Sequence, residues 1–436
     1  MYNPEFKRNL WCEFPGHRLL AMPVMLGLIF LTASLADNNR MAEYLYRTAT
    51  VLFVFIVWFW GARNANNAIS DEIRDQTWDQ QRLSALTPWT MTWGKLCGAT
   101  SYNWYGGLIC LAVATLAGLA SQGAASLVTL GALVASGVLI HAAILTLSLH
   151  FSRQPTTMPK KSGIGWLAIV LIFALFSNMA NKGANPQLSW WNLAIDRETF
   201  WLASSLFFAA AAVFAAWRVM SNALQVRTRP WAWPLFSLLL ALYLAGIGDA
   251  TGQPQLTILP TIALLVAMVM TYAALLSEPT GPLELRRLRL RQESGDWRGW
   301  LEHLPLWPTT LALAFVYALL ATMSELPLPA ALNSKDVLTG FAPLALALML
   351  LRDCCLLLFF AFAPQPGRPT WTTLLALGAL DFLLPFSAKA AGMAQLAWFI
   401  LPVGEGNPWA AVMVMTVQAG VALGLLSWRW RRVMGT

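Results

Sequence analysis

Runs of about 20 apolar residues, the length that crosses a bilayer as a helix, recur along the whole chain. They predict spans near residues 18–36, 43–63, 96–119, 124–151, 163–180 and 199–221, then near 231–248, 256–277, 308–326, 339–363, 370–388 and 408–430. The pattern predicts an all-α polytopic membrane protein of about twelve transmembrane helices in two six-helix halves, residues 1–229 and 230–436. The halves share features. "VLIHAAILTLSLHFSRQP" (138–155) and "LLRDCCLLLFFAFAPQP" (350–366) each place polar groups inside an apolar run and end at Gln-Pro or Pro-Gln-Pro, and the sixth and last spans close on "WRVM" and "RRVM". In both halves the long charged connection falls between spans two and three, so the second half reads as a divergent repeat of the first.

One polar break is unusual. The stretch "SDEIRDQTWDQQRLSALTPWTMTWGKL", residues 70–96, holds Asp71, Glu72, Asp75 and Asp79 against Arg74, Arg82 and Lys95. Ile69, Ile73, Trp78, Leu83 and Leu86 fall near a helical period, and Asp71 and Glu72 sit where a first turn favours negative charge, which predicts an amphipathic helix over 68–86. Thr87 and Pro88 read as the N-cap and first position of a new helix, with Trp89 and Trp93 following on one face. The balanced charge lacks the basic excess of a segment resting on anionic lipid. A short helix with exposed apolar residues suits a groove on another protein, and a solvated connecting loop is the plainer alternative.

Composition fixes the solvent. The chain is 57% hydrophobic and 11% charged, where soluble domains carry about a quarter charged residues, and its mean hydropathy is positive. The 22 Trp suit the headgroup level of a bilayer. A net charge of +8 does not point to nucleic acid, because the basic residues fall in the short connections: Lys7, Arg8, Arg18, Arg153, Lys160, Lys161, Arg227, Arg229, the "LRRLRLR" run at 285–291, Arg368 and Arg429 to Arg432. That bias predicts an integral protein of a plasma membrane with both termini cytoplasmic. The start, "MYNPEFKRNLWCEFPGHRLL", reads as a basic, amphipathic lead-in and lacks the small-residue cleavage site of a signal peptide. Cys12, Cys97, Cys110, Cys354 and Cys355 make neither a disulfide framework nor a metal-ligand spacing.

Candidate chemistry is sparse. Gly94-Lys95 is followed by Leu96, and no glycine precedes it at the phosphate-loop spacing, so the chain carries no nucleotide-hydrolysing motif. Nucleophile-elbow, HExxH and CxxC patterns are missing too, which argues against an enzyme. Ionisable residues inside spans default to functional hypotheses; here they are His141, Arg352, Asp353 and Asp381. An interhelical ion pair of Arg352 with Asp381 ranks first and a substrate or proton path second. The "SWWN" at 189–192 reads as an interfacial anchor.

The charged break resembles the cytoplasmic loop of type V ABC exporter permeases, with its Glu-rich start, a Thr, a run of Leu, then Thr-Pro-Leu and a Gly-Lys opening the third span. The matching residues are Glu72, Arg74, Thr77, Leu83, Leu86, Thr87, Pro88, Gly94 and Lys95, and "NPEFKRNL" is similar to the elbow helix of those permeases. The resemblance implies a permease subunit in a bacterial inner membrane, with no cofactor of its own, working with a separate ABC ATPase subunit in two copies that binds ATP and Mg. It further implies that the loop is a coupling helix, with Glu72, Arg74, Thr77, Trp78, Arg82, Leu86, Thr87 and Pro88 as ATPase-coupling residues.

This sequence departs from that pattern in three places. Gln76 stands where a Gly is usual, the distance from Thr77 to Pro88 is about three residues longer, nearly one helical turn, and the second long loop, "SEPTGPLELRRLRLRQESGDWRGWLEHLPLWP", lacks the Thr-Pro and Gly-Lys signals. One chain could supply both halves of a translocation unit, or an accessory bundle could sit on a homodimer. A gradient-driven secondary transporter, depending on Arg352, Asp353 or Asp381 near the midplane, is the rival reading. Spans rich in Leu, Ala and Phe mildly favour a lipid-like or amphipathic cargo.

Overall fold

A computed structural model describes residues 3–36, 38–84, 86–151, 187–226, 228–247, 255–278, 281–323, 343–362, 369–402 and 408–434. The chain divides into two compact units, Met1–Leu188 with Ala194–Thr228, and Ser189–Leu193 with Arg229–Thr436.

In the first unit, α1 (Pro4–Glu13) starts at Asn3, whose side-chain oxygen accepts from the backbone of Glu5 and Phe6 while Pro4 takes the first helical position. Then follow α2 (Gly16–Leu35), α3 (Met41–Arg74), α4 (Trp78–Arg82), α5 (Pro88–Gly98), α6 (Ser101–Gln122), α7 (Ala125–Phe151) and α8 (Arg197–Ala223). Phe53, Val57 and Trp58 of α3, Cys110 and Ala114 of α6, and Leu133 and Ile140 of α7 form its main core. Small residues let α7 and α8 approach, and Ser136 and Ser205 hydrogen-bond across them at 3.0 Å.

The expected span at 43–63 and expected helix at 68–86 are not separate. A single helix runs 34 residues, about 50 Å at 1.5 Å per residue against about 30 Å of hydrocarbon, so its last turns leave the bilayer. It stops at Gln76, which adopts φ 57°. There Thr77 N–H donates to Glu72 O at 2.9 Å and Gln76 N–H to Ile73 O at 3.2 Å, the paired bonds of a left-handed C-terminal cap. The departure from the expected helix thus has a local cause, and it lies where Gln replaces the Gly that such a cap favours.

A short hairpin, β1 (Gln187–Trp190) and β2 (Leu193–Asp196), precedes α8 and is an exception to the all-helical expectation. Trp191 and Asn192 both have positive φ, 49° and 61°, the pairing a two-residue hairpin turn requires.

The second unit comprises α9 (Ala232–Gly246), α10 (Gln255–Ser277), α11 (Pro282–Glu293), α12 (Trp297–His303), α13 (Trp307–Met323), α14 (Pro343–Ala361), α15 (Pro369–Gly378), a π-helical segment (Ala379–Leu383), α16 (Leu384–Ala390), α17 (Ala394–Ile400) and α18 (Pro408–Met434). Leu264 and Ala267 of α10, Ala314 and Ala318 of α13, and Leu346 and Leu350 of α14 share one core. The tips of the hairpin belong to this unit: Trp190 and Trp191 donate their indole N–H groups to Tyr243 O and Leu242 O near the end of α9, at 3.1 and 3.2 Å. These tryptophans cap a helix end, a role beyond the interfacial anchoring expected of them.

Eight helices among the described residues are long and apolar enough to cross a membrane: α2, α3, α6, α7, α8, α10, α14 and α18. The protein therefore has an all-α polytopic membrane architecture. Of the other four expected spans, 163–180 lies outside the described residues. The one at 231–248 is the 15-residue α9, 308–326 is α13, bent 86° from α12, and 370–388 is α15 and α16 joined through the π segment.

Candidate functional site

The charged break is fastened at its base by a compact set of ionised side chains. Lys95, on α5, is 1% exposed, and an ammonium there costs several kcal/mol unless it is paired. Its Nζ bonds Glu72 Oε2 and Glu5 Oε1, the latter at 3.2 Å, and lies 5.5 Å from the centroid of the Trp78 ring. Glu72 Oε1 also accepts from Arg8 Nη2 and from Gln81 Nε2, each at 2.5 Å, and Glu5 Oε1 accepts from Arg8 Nη2 at 2.9 Å. Two acids thus face two bases and the cluster is neutral. Burial lowers the Arg8 pKa, but the bond to Glu72 and the nearby Glu5 charge outweigh it, so Arg8 ends above its ordinary value.

Gly94 and Gly98 explain why α1 can reach this cluster. A Cβ on Gly94 would stand 2.6 Å from Glu5 Cβ, and one on Gly98 would stand 2.7 Å from Asn9 Cβ. The two glycines, one turn apart, give α1 a flat track on α5. Asn3 and Asn9 then donate across the track to Thr90 O and Gly94 O, at 2.8 and 3.2 Å.

These contacts sort the sequence candidates. Glu72 belongs to the buried clamp, and Thr77 Oγ1 donates to Glu72 O at 3.2 Å within the cap. Ile69, Ile73, Trp78 and Leu86 pack with Met91 and Leu96 against Leu145, Leu149 and Met220 of α7 and α8. Of the five apolar residues expected to serve an outside groove, Ile69 is therefore buried in the chain's own core and Ile73, Trp78 and Leu86 are partly buried against it. Leu83 is the exception, 88% exposed, beside an Asp79 side chain that is 85% exposed. Arg74 is exposed and pairs with Asp71 and Asp75, and Arg82 pairs with Asp79 at 3.2 Å. Thr87 caps α5, its Oγ1 accepting from Thr90 N–H at 3.2 Å, with Pro88 next in line.

His141 serves the backbone of α3. Residues Val54–Trp60 of that helix are π-helical, a geometry that shifts the i to i−4 ladder and leaves carbonyls open. His141 Nε2 meets Val57 O at 2.7 Å, and Asn103 Nδ2 donates to Ile56 O at 3.0 Å. With a carbonyl as partner, Nε2 is the protonated nitrogen. Gly61 makes the approach feasible: a Cβ there would lie 2.2 Å from His141 Nε2.

In the second unit the expected pair of Arg352 with Asp381 forms, within a larger network. Arg352 also binds Asp353 Oδ1 through Nε at 2.8 Å and Gln418 Oε1 through Nη1 at 2.8 Å. Tyr272 donates to Asp353 Oδ2 at 2.5 Å, and Gln418 Nε2 donates to Phe399 O at 2.7 Å. Four elements, α10, α14, α18 and the π segment that carries Asp381, are tied together in the membrane interior. Tyr272 and Gln418 escape a search for ionisable residues because they carry no charge. Glu5 and Arg8 escape in the first unit because they lie about ninety residues from Lys95 in sequence, and Gln81 because it carries no charge.

Comparison with protein-family models, with curated proteins and with solved structures finds no match.

Proposed function

We propose that this chain is the membrane subunit of an ATP-driven ABC exporter, moving its substrate across a bacterial inner membrane with a separately encoded ATPase. The observation that carries the reading is the construction of residues 75–84 and 86–87. The segment begins where an over-long helix leaves the bilayer, is held at its base to α1 and α5 by the Glu5, Arg8, Glu72 and Lys95 clamp, and offers Asp79 and Leu83 to solvent. A docked ATPase pushing on such a segment would move α3, α5 and α1 together, because the clamp resists separation of any one of them. Arg74, Thr77, Arg82, Asp79 and Leu83 are then the docking residues, while Glu72, Trp78, Leu86, Thr87 and Pro88 position them. ATP and Mg reside on the partner, and this chain contributes no catalytic group. The test is co-purification of the tagged chain in mild detergent with the ATPase encoded nearest to it. Wild type should retain the ATPase, and a D79K/L83E variant that still inserts normally should lose it.

A gradient-driven carrier is the second reading. It is favoured by one observation: Arg352 faces two carboxylates, Asp353 and Asp381, so the interior network carries one more formal negative charge than positive. The same co-purification separates the readings, since a carrier requires no ATPase.

A further inference from the structure

The loop between α10 and α13 is built differently from residues 75–87, and its chemistry points to another partner. α10 ends and α13 begins at the same level: Thr271 and Thr310 hydrogen-bond at 2.9 Å, and both Glu278 carboxylate oxygens accept from Leu306 N–H, at 3.0 and 2.8 Å. Glu278 thus pins the corner where α12 turns 86° into α13. α13 packs along α10, a helix that crosses the bilayer, so α12 lies close to the membrane plane at its surface. On α12, Trp297 and Leu301 are one turn apart and both exposed.

α11 has the same character. Its inner face sets Leu285 and Leu288 against the core of the unit, and Arg291 is used internally, donating to Gly299 O and His303 Nδ1. Its outer face carries Leu283, Arg286, Arg287 and Leu290 at three- and four-residue spacing, all exposed. The acids of the segment are mostly engaged. Glu293 pairs with Arg289, Glu302 with Arg298, and Asp296 caps α12 through Gly299 N–H at 2.9 Å. Among the described residues Arg286 and Arg287 have no ion-pair partner. Long basic side chains flanked by leucines on a helix at the membrane level suit lipid phosphates, with the stems among acyl chains and the guanidinium groups at the headgroups.

We propose that α11 and α12 form an interfacial platform that binds the anionic headgroups of the surrounding bilayer, with Arg286 and Arg287 as the phosphate ligands and Leu283, Leu290, Trp297 and Leu301 as the inserted apolar edge. The proposal rests on the membrane architecture and is independent of the exporter reading.

The test is hydrogen–deuterium exchange of the full chain in nanodiscs of phosphatidylcholine alone and of phosphatidylcholine mixed with phosphatidylglycerol, following residues 282–303. Exchange should slow in the anionic discs by on the order of ten-fold, from two arginines near a charged surface, and the gain should shrink in about 0.5 M salt. R286A/R287A should abolish the gain while exchange in α10 stays unchanged, and R286K/R287K should keep it. Equal exchange in the two kinds of disc overturns the proposal. So does protection that inorganic phosphate reproduces in phosphatidylcholine discs, or protection that appears only when an ATPase is added.

Discussion

Lys95 and Glu72 form a buried ion pair at the base of the 75–87 segment, and the same ammonium reaches Glu5 on α1. A helix at the N-terminus and the loop after the second predicted span therefore share one cation. Lys95→Met leaves two carboxylates with Arg8 as their one remaining base in the clamp and should destabilise the protein by about 3 kcal/mol, the lower end for breaking a buried pair. Adding Glu72→Gln should recover a good part of that loss. Unfolding of wild type and the two variants in nanodiscs measures it, and equal losses in the single and double variants would contradict the clamp.

The cap at Gln76 makes the opposite prediction, a gain. A residue other than Gly at positive φ costs about 1–2 kcal/mol of backbone energy, partly offset by the greater freedom of Gly in the unfolded chain. Gln76→Gly should therefore stabilise by roughly 0.5–1 kcal/mol. Gln225, at φ 60° after α8, makes the matching pair of bonds through Val226 and itself and should respond alike. Gln76→Val should be destabilising, since a β-branched residue is poorly tolerated there.

Gly61 and His141 test the account of the π segment. Gly61→Ala drives the imidazole off Val57 O and leaves a buried carbonyl unpaired, a loss of about 1–3 kcal/mol. His141→Ala removes the same bond, so the double variant should lose much less than the sum of the two. Full additivity in that cycle would mean that the close contact is not what Gly61 is for.

Glu278 predicts a pH dependence. Burial raises its pKa to about 7 from an ordinary value of 4.5, and the backbone N–H bonds from Leu306 and Trp307 offset only part of that rise. The folded chain then holds a proton that the unfolded chain releases between those values, so the stability linked to this group is complete below 4.5 and is lost as pH rises through about 7. Melting in nanodiscs should show wild type losing stability from pH 5 to pH 8 (a range of about three units, bracketing the shift) relative to Glu278→Gln. Parallel pH profiles would sink the assignment.

Much of the fold is legible in hydrophobic length alone. The spans at α2, α6, α7, α8, α10, α14 and α18 follow from apolar windows, because lipid demands an unbroken helix of fixed reach. Where the windows mislead, a side chain far away in sequence decides. The polar run "GARNANNA" (61–68) reads as a connection, yet it stays helical because Asn64 bonds Asn103 and the Asn66 carbonyl accepts from Ser148. The break falls later, at Gln76, where a local cap outweighs a helical period. In the candidate site, Glu72, Thr87 and Pro88 stand out by motif, whereas the inward turn of Trp78 and Leu86 depends on packing against α7 and α8. A hydrophobic period alone does not tell a partner's groove from the chain's own core.

If an ATPase docks on the segment that follows Gln76, a photo-crosslinker placed at Leu83 will capture it. Leu83 is nearly fully exposed and is not one of the clamp residues, so p-benzoylphenylalanine there leaves the fold intact. On irradiation of cells the account predicts a single adduct whose partner is an ABC ATPase, lost when D79K is added. An adduct with any other protein, or none at all from a Leu83 variant that inserts and folds like wild type, would contradict it.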